Sequence, residues 1–421
     1  MFASTLNGPL VASTLIILTT ASTASAQKEK NSFSYFVEEE VSIGTGNTYA
    51  VDLNGDGWLD IYSRKSNESD RVYLQYAPGG KVGGFYHHNT KVNIGSNVPG
   101  WGAAFADFDK DGDIDVFLAN ESGNPNEVWL NNGSGSFTQM KTDFPSRNST
   151  SAQAGDFDHD GDIDVYVTNR NEYDRVYLNN GNATFDLGQQ LNNKNARGST
   201  IADINQDGHL DVYIANSEGN GGSRDLIYYG DGDGTFSGSG VVFPNLFAGS
   251  SADTGDLNGD GRIDIVVSNN NAPCVVHINM GGDSFGTYAI NEKDPQGSRS
   301  IALGDLDRDG VLDMIIANNY SQSNLVAYGT GSGYFFFEQT LGNTSSNTAT
   351  IADFDRDGAL DVLFGDNVAN TIYRNTIADP VLGDMDGDGD ADSDDYVALG
   401  EELGVCYGDL TGDGAVDSAD I

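Results

Sequence analysis

Asp107-Phe108-Asp109-Lys110-Asp111-Gly112-Asp113-Ile114-Asp115 decides the reading of this chain. Carboxylates at positions 1, 3, 5 and 9 of so short a stretch repel one another unless a cation sits among them. Oxygen ligands at this spacing suit calcium; magnesium prefers to keep its waters. Glycine at position 6 permits a sharp turn, which aims the next backbone carbonyl, here that of Asp113, at the same ion.

The pattern recurs six more times. Positions 1, 3, 5, 7 (through its carbonyl) and 9 are Asp52, Asn54, Asp56, Trp58 and Asp60, then Asp156, Asp158, Asp160, Asp162 and Asp164. Next come Asp203, Asn205, Asp207, His209 and Asp211, followed by Asp256, Asn258, Asp260, Arg262 and Asp264. The last two sets are Asp305, Asp307, Asp309, Val311 and Asp313, and Asp353, Asp355, Asp357, Ala359 and Asp361. A helix–loop–helix calcium site would need an acid at position 12, and here that position is Ser63, Leu118, Val167, Ile214, Val267, Ile316 or Phe364. These residues lie in β-branched runs such as Asp164-Val165-Tyr166-Val167-Thr168, so each loop is expected to join two strands.

The first aspartates fall 47 to 55 residues apart, the period of β repeats that stack around an axis. Each unit opens with a strand of small residues, such as Gly102-Ala103-Ala104-Phe105-Ala106, suited to crowding near that axis. After the loop a second strand ends at Asn120, Asn169, Asn216, Asn269 or Asn318. A third strand closes with a turn, as in Asn131-Asn132-Gly133, and a phenylalanine opens the fourth: Phe85, Phe137, Phe185, Phe236, Phe285, Phe335. The seventh unit lacks that element, but Asn31-Ser32-Phe33 resembles Gly135-Ser136-Phe137. Residues near 33–43 are therefore expected to supply the last outer strand and close a ring, where an open solenoid would leave the missing piece unexplained.

The loops within these units resemble the FG-GAP/VCBS repeats of integrin α-chain propellers and secreted bacterial proteins, over roughly residues 31–378. The resemblance implies an all-β fold, a seven-bladed β-propeller over residues 27–378, with calcium in the hairpin between the first two strands of each blade. The integrin partner surface does not carry over, since no motif here identifies it.

Residues 379–421 read as a second module. Asp384, Asp386, Asp388, Gly389, Asp390, Asp392 and Asp395 occupy positions 1, 3, 5, 6, 7, 9 and 12, and Asp409, Thr411, Asp413, Gly414, Ala415, Asp417 and Asp420 repeat the pattern. With Tyr396-Val397-Ala398-Leu399 as an apolar helix face, the paired loops are similar to a dockerin type I module, an EF-hand-like α unit that implies a cohesin-like partner. The sequence stops directly after the second loop, so the second helix is missing from the pattern.

The chain of 421 residues carries a formal charge of −42, with 63 acids against 21 lysines and arginines. That balance disfavours nucleic acid as a partner, while 38% hydrophobic content argues for a packed fold over disorder. Leu10 to Leu18 followed by Ala24-Ser25-Ala26 reads as an export signal over residues 1–26, although no lysine or arginine precedes it. No stretch is apolar enough to predict a transmembrane segment. Cys274 and Cys406 lie in different modules, which excludes a disulfide framework, and Cys274 reads as a packing residue.

No nucleophile motif stands apart from the loops. His159 and His209 lie within loops, His277 on a strand, and the His87-His88 pair at a strand start. Were the chain catalytic, its tail would point to polysaccharide hydrolysis or lysis. The expectation is instead a secreted calcium-binding recognition or adhesion module for an extracellular glycan or protein. Trp101, Trp129, Tyr173, Tyr229 and Tyr320 are candidate aromatic contacts, each with inter-blade packing as the competing role.

Overall fold

Residues 36–39, 46–76, 84–87, 94–95, 97–193, 195–217, 224–237, 240–244, 248–270, 272–290, 297–342, 345–366 and 369–377 are described by a computed structural model. All belong to the second of two compact units, Tyr35–Ile421. The expected export signal over residues 1–26 and the tail positions Asp384 to Asp420 lie outside the described residues.

The chain begins its sheets with β1 (Phe36–Glu39) and then builds seven blades. Blade 1 contains β2 (Asn47–Val51), β3 (Asp60–Arg64), β4 (Arg71–Tyr76) and β5 (Gly84–His87), so His87 ends a strand where the sequence suggested a start. The next two are β6 (Gly100–Ala106), β7 (Asp115–Asn120), β8 (Glu127–Asn131), β9 (Phe137–Met140), and β10 (Ser149–Gly155), β11 (Asp164–Asn169), β12 (Asp174–Asn179), β13 (Phe185–Leu191). Blade 4 has β14 (Ala196–Ala202), β15 (Asp211–Asn216) and β16 (Leu226–Tyr228). Blade 5 has β17 (Gly249–Gly255), β18 (Asp264–Asn269), β19 (Val275–Asn279) and β20 (Phe285–Ala289). Blade 6 has β21 (Ser298–Gly304), β22 (Asp313–Asn318), β23 (Asn324–Gly329) and β24 (Phe335–Leu341). Blade 7 has β25 (Ser346–Ala352), β26 (Asp361–Asp366) and β27 (Thr371–Asn375).

β1 pairs antiparallel with β27, Phe36 opposite Asn375, and completes the seventh sheet. The seventh blade also meets the first directly: Gly46 N donates to Asp366 O at 3.0 Å and Thr48 N to Thr348 Oγ1 at 3.1 Å. The sheets therefore form a closed ring, and the open-solenoid alternative fails.

One expectation is corrected. Phe236 does not open a fourth strand in blade 4; among the described residues that element is reduced to single bridges, Gly230 with Phe236 and Leu226 with Val242. Glycine and serine alternate from Ser237 to Gly240 in the sequence and Pro244 soon follows, a composition of low strand propensity. The Gln189 side chain of the neighbouring blade takes the place of a strand partner, accepting from Phe236 N at 2.7 Å and donating to its carbonyl at 3.1 Å.

The apolar interior is divided into seven clusters, one between each pair of adjacent blades. Between blades 2 and 3, for example, Phe117 and Val128 pack on Val165 and Tyr177. A second strand is thus sandwiched on both faces, and β7, β11, β15, β18, β22 and β26 are buried along their whole length. Small first-strand residues allow the close approach at the axis: a Cβ on Gly102 would stand 2.6 Å from Ser151 Cα.

Candidate metal loops

All seven aspartate loops share one hydrogen-bonding scheme. The position-6 N–H donates to an Oδ of the position-1 aspartate, from Gly57 to Asp52 at 2.7 Å through Gly161 to Asp156 at 3.2 Å and Gly358 to Asp353 at 3.0 Å. The position-7 N–H donates to Oδ1 of position 5, as from Trp58 to Asp56 and Ala359 to Asp357, both at 2.8 Å. In five loops the other position-1 oxygen also accepts a backbone N–H, as Asp52 Oδ1 does from Gly55 N at 2.8 Å and Asp107 Oδ1 from Asp111 N at 3.1 Å, so backbone donors hold this carboxylate at both oxygens. The turn needs a left-handed position 6; Gly112 has φ +97°, and a Cβ there would meet nothing, so conformation and not space demands the glycine.

Position 9 has a second task. Asp164, fully buried, accepts from Phe157 N at 3.0 Å through Oδ2 and from Asn179 N at 2.8 Å through Oδ1. The pair of bonds recurs at Asp60, Asp115, Asp211, Asp264, Asp313 and Asp361. Each of these aspartates ties its loop to the third strand of its own blade. Burial pushes Asp60, Asp115 and Asp164 up to about 7 and Asp211 and Asp361 up to about 6, against the backbone donors, which favour the anion.

The donor set fits a hard cation. Carboxylate oxygens of Asp107, Asp109 and Asp115 lie within 4.8 Å of one another, as do those of Asp156, Asp158 and Asp164, of Asp305, Asp307 and Asp313, and of Asp353, Asp355 and Asp357. Asp156 Oδ1 and Asp353 Oδ1 are buried without a hydrogen-bond partner, as a ligand atom awaiting an ion would be. The other three loops carry an amide at position 3 (Asn54, Asn205, Asn258). In the seventh loop Arg374 Nη1 sits 2.8 Å from Asp361 Oδ2, so the cluster forms from positions 1, 3 and 5 instead. Arg262 likewise contacts the position-5 carboxylate of its own loop, Asp260. Position 9 of loop 7 and position 5 of loop 5 thus already hold cationic partners.

Three features escaped the sequence reading. Position 2 is always apolar and buried (Leu53, Phe108, Phe157, Ile204, Leu257, Leu306, Phe354), anchoring the loop in an inter-blade core. The third-strand asparagine, read only as a turn signal, reaches into the preceding blade: Asn131 Nδ2 donates to Leu53 O and Asn179 Nδ2 to Phe108 O, both at 2.8 Å. Asn279 and Asn375 do the same to Ile204 O and Leu306 O, and Gln75 to Phe354 O. The third feature is position 4. Lys110, His159, Gln206, Arg308 and Arg356, all at φ between +58° and +63°, reach the next loop around the ring. Lys110 meets Asp162, His159 Nε2 lies 2.8 Å from His209 Nδ1, Gln206 donates to Gly261 O, Arg308 donates to Asp357 O, and Arg356 covers the Trp58 ring at 4.3 Å. Invariant apolar residues at position 2 could have been found by aligning the seven loops; the other two need the ring.

Of the candidate aromatics, Trp129 is a core residue at 5% exposure and Tyr229 packs half-buried between blades 4 and 5. Trp101, Tyr173 and Tyr320 are exposed, at 37%, 43% and 61%. His277 is buried between Thr287 and Tyr213 and is held neutral by its surroundings, down to about 3.

A family model described as an FG-GAP-like repeat matches residues 52–118, 107–167, 156–214, 203–267, 256–316 and 305–364; each match runs from one loop past the next, and together they contain all seven. No curated protein sequence matches the chain. Among solved structures, BBS1N in complex with ARL6DN (soaked with mercury) is similar at TM-score 0.53 and 10% identity, covering 81% of this chain and 97% of that one. The BP39L lectin from Burkholderia pseudomallei is similar at TM-score 0.58 and 14% identity, covering 80% and 97%. At these identities the likeness concerns the fold.

Proposed function

The chain belongs to the FG-GAP-like repeat family, and from that premise we propose an exported, calcium-stabilised propeller that recognises an extracellular glycan or protein. The reading is carried by the seven loops, in which backbone donors pre-orient the position-1 and position-5 carboxylates while the position-9 carboxylate joins loop to sheet. Calcium bound there links the first, second and third strands of a blade, so metal binding contributes directly to folding. Extracellular modules bind calcium at about 10⁻⁴–10⁻³ M, a range met outside cells. A lectin among proteins of similar fold is compatible with a sugar ligand. No helix among the described residues is long and apolar enough to cross a membrane.

The test uses the full chain on arrays of glycans and extracellular proteins, with calcium and with EDTA, beside thermal melts in both. Chelation is expected to lower the melting temperature and abolish capture. Identical melts in the two conditions, or an empty array with calcium-loaded protein, would refute the reading.

A further inference from the structure

The first strands of blades 2 to 7 each break register once against their second strands, between Gly100 and Gly102, Ser149 and Ser151, Ala196 and Gly198, Gly249 and Ser251, Ser298 and Ser300, and Ser346 and Thr348. A bulge bends a strand and re-aims the extra side chain. The six residues so displaced are Trp101, Thr150, Arg197, Ser250, Arg299 and Asn347, and every one lines a single cavity of about 530 Å³ on the ring axis. All seven first strands contribute to it. The bulges stand at the start of these strands and the metal loops follow their ends, roughly 17 Å away at a strand rise of ~3.3 Å per residue.

The chemistry of this cavity differs from that of the molecule. In a chain with three acids for each base, Arg170, Arg197 and Arg299 converge on one opening. The two acids present are already engaged. Glu121 accepts from Trp101 Nε1 at 3.2 Å and stands 3.6 Å from Arg170, and Asp253 accepts from Leu303 N and Thr254 N, both at 2.9 Å. Arg299 has a buried Nε with no hydrogen-bond partner. Burial draws its proton affinity below the ordinary value and the Arg170 charge lowers it further, while Tyr320 opposes this. The Glu121 bond fixes the Trp101 indole, whose exposure leaves part of the ring open to a ligand.

We propose that this axial cavity binds an acidic sugar, with its carboxylate on the guanidiniums of Arg197 and Arg299 and its ring against Trp101. The inference names the ligand class of the recognition module and so rests on that reading. A guanidinium fork matches a carboxylate in plane and number of donors. A small polyol fills a space of this size, and the surrounding serine, threonine and asparagine side chains suit its hydroxyls.

Calorimetry of the calcium-loaded full chain against trigalacturonic acid and its carboxyl-reduced neutral counterpart tests this. The acid is expected to bind at least about tenfold more tightly than the neutral trimer, the worth of one or two charge-assisted bonds. Arg197→Gln and Arg299→Gln should each weaken the acid by about tenfold and leave the melting temperature and the neutral sugar unchanged, whereas Trp101→Ala weakens both sugars. Equal affinity for the two trimers, no heat with trigalacturonic acid, or arginine variants that bind it as wild type does, would each overturn the inference. So would tighter binding of a peptide through its free C-terminal carboxylate. In any of these cases capture of another polymer on the array would leave the recognition reading standing.

Discussion

At the scale of single residues the chain solves one problem in two ways. The second-strand residue two places after the position-9 aspartate is tyrosine in blades 1, 3 and 4. Each hydroxyl donates to a buried aspartate, Tyr62 to Asp70 at 2.7 Å, Tyr166 to Asp174 at 3.4 Å and Tyr213 to Asp225 at 3.1 Å. Blades 2, 6 and 7 have Phe117, Ile315 and Leu363 there, and the partner is Asn126, Asn324 or Asn370, which accepts only the backbone N–H. Without the hydroxyl a second carboxylate oxygen would be stranded; the amides of Asn324 and Asn370 donate to Ser346 Oγ at 2.9 Å and Ser63 Oγ at 3.4 Å instead, whereas Asn126 Nδ2 is buried without a partner. Asp174 is pushed up to about 8 by burial, against donors from Asn193, Asn169 and Tyr166. Its folded value stands above the unfolded one near 3.9. Its contribution is therefore complete below about pH 4 and is lost as pH rises through about 8. Asp174→Asn should match wild type most closely in acid and exceed it increasingly up to pH 8, read from urea midpoints in saturating calcium. Parallel pH curves for the two proteins would show that the aspartate is not held neutral.

At the scale of elements, stability passes from blade to blade. The position-2 backbone of each loop serves two partners: its N–H goes to the position-9 carboxylate, and its carbonyl receives a donor from the next blade. Blades 4 and 6 have Gly230 and Gly329 where the others have an amide side chain, and there Gly234 N and Gly333 N reach Phe157 O and Leu257 O, as Gly135 N and Ala183 N reach Leu53 O and Phe108 O beside the amides of blades 2 and 3. β1 adds to the direct contact between blades 7 and 1, and its removal would leave β27 with an unpaired edge. Deleting residues 1–40 should therefore lower the melting temperature and send the protein to dimers or larger species on size exclusion. A monomer of unchanged stability would mean that β1 contributes nothing to closure.

At the scale of the whole molecule, the seven loops each crowd three or more acids into nine residues and are tied to one another around the ring. Repulsion among exposed charges fades beyond a screening length of about 10 Å at 0.1 M salt, so sodium chloride can stand in partly for bound calcium. Raising salt should increase the melting temperature of EDTA-treated protein more than that of calcium-loaded protein. An equal rise in both would indicate that the loops are not the seat of the repulsion.

Much of this was legible along the chain because the repeat is local: Asp107 to Asp115 contains its own turn, its own carboxylates and the start of the next strand. The count of seven units, the small-residue first strands and the outer strand borrowed from Phe36–Glu39 follow from comparing one unit with the next. What the linear order could not contain is anything that depends on neighbours around the ring. Asn179 and Phe108 are far apart in sequence and meet only because adjacent blades pack face to face. The hydrogen bonds of Gln189 to Phe236 in the next blade likewise join residues far apart in sequence. Arg197 and Arg299 look like scattered surface charges in the sequence. A single extra residue in the first strands of blades 4 and 6 turns them toward a common cavity, because a one-residue bulge redirects a side chain without altering the hydrophobic pattern that sequence reading relies on.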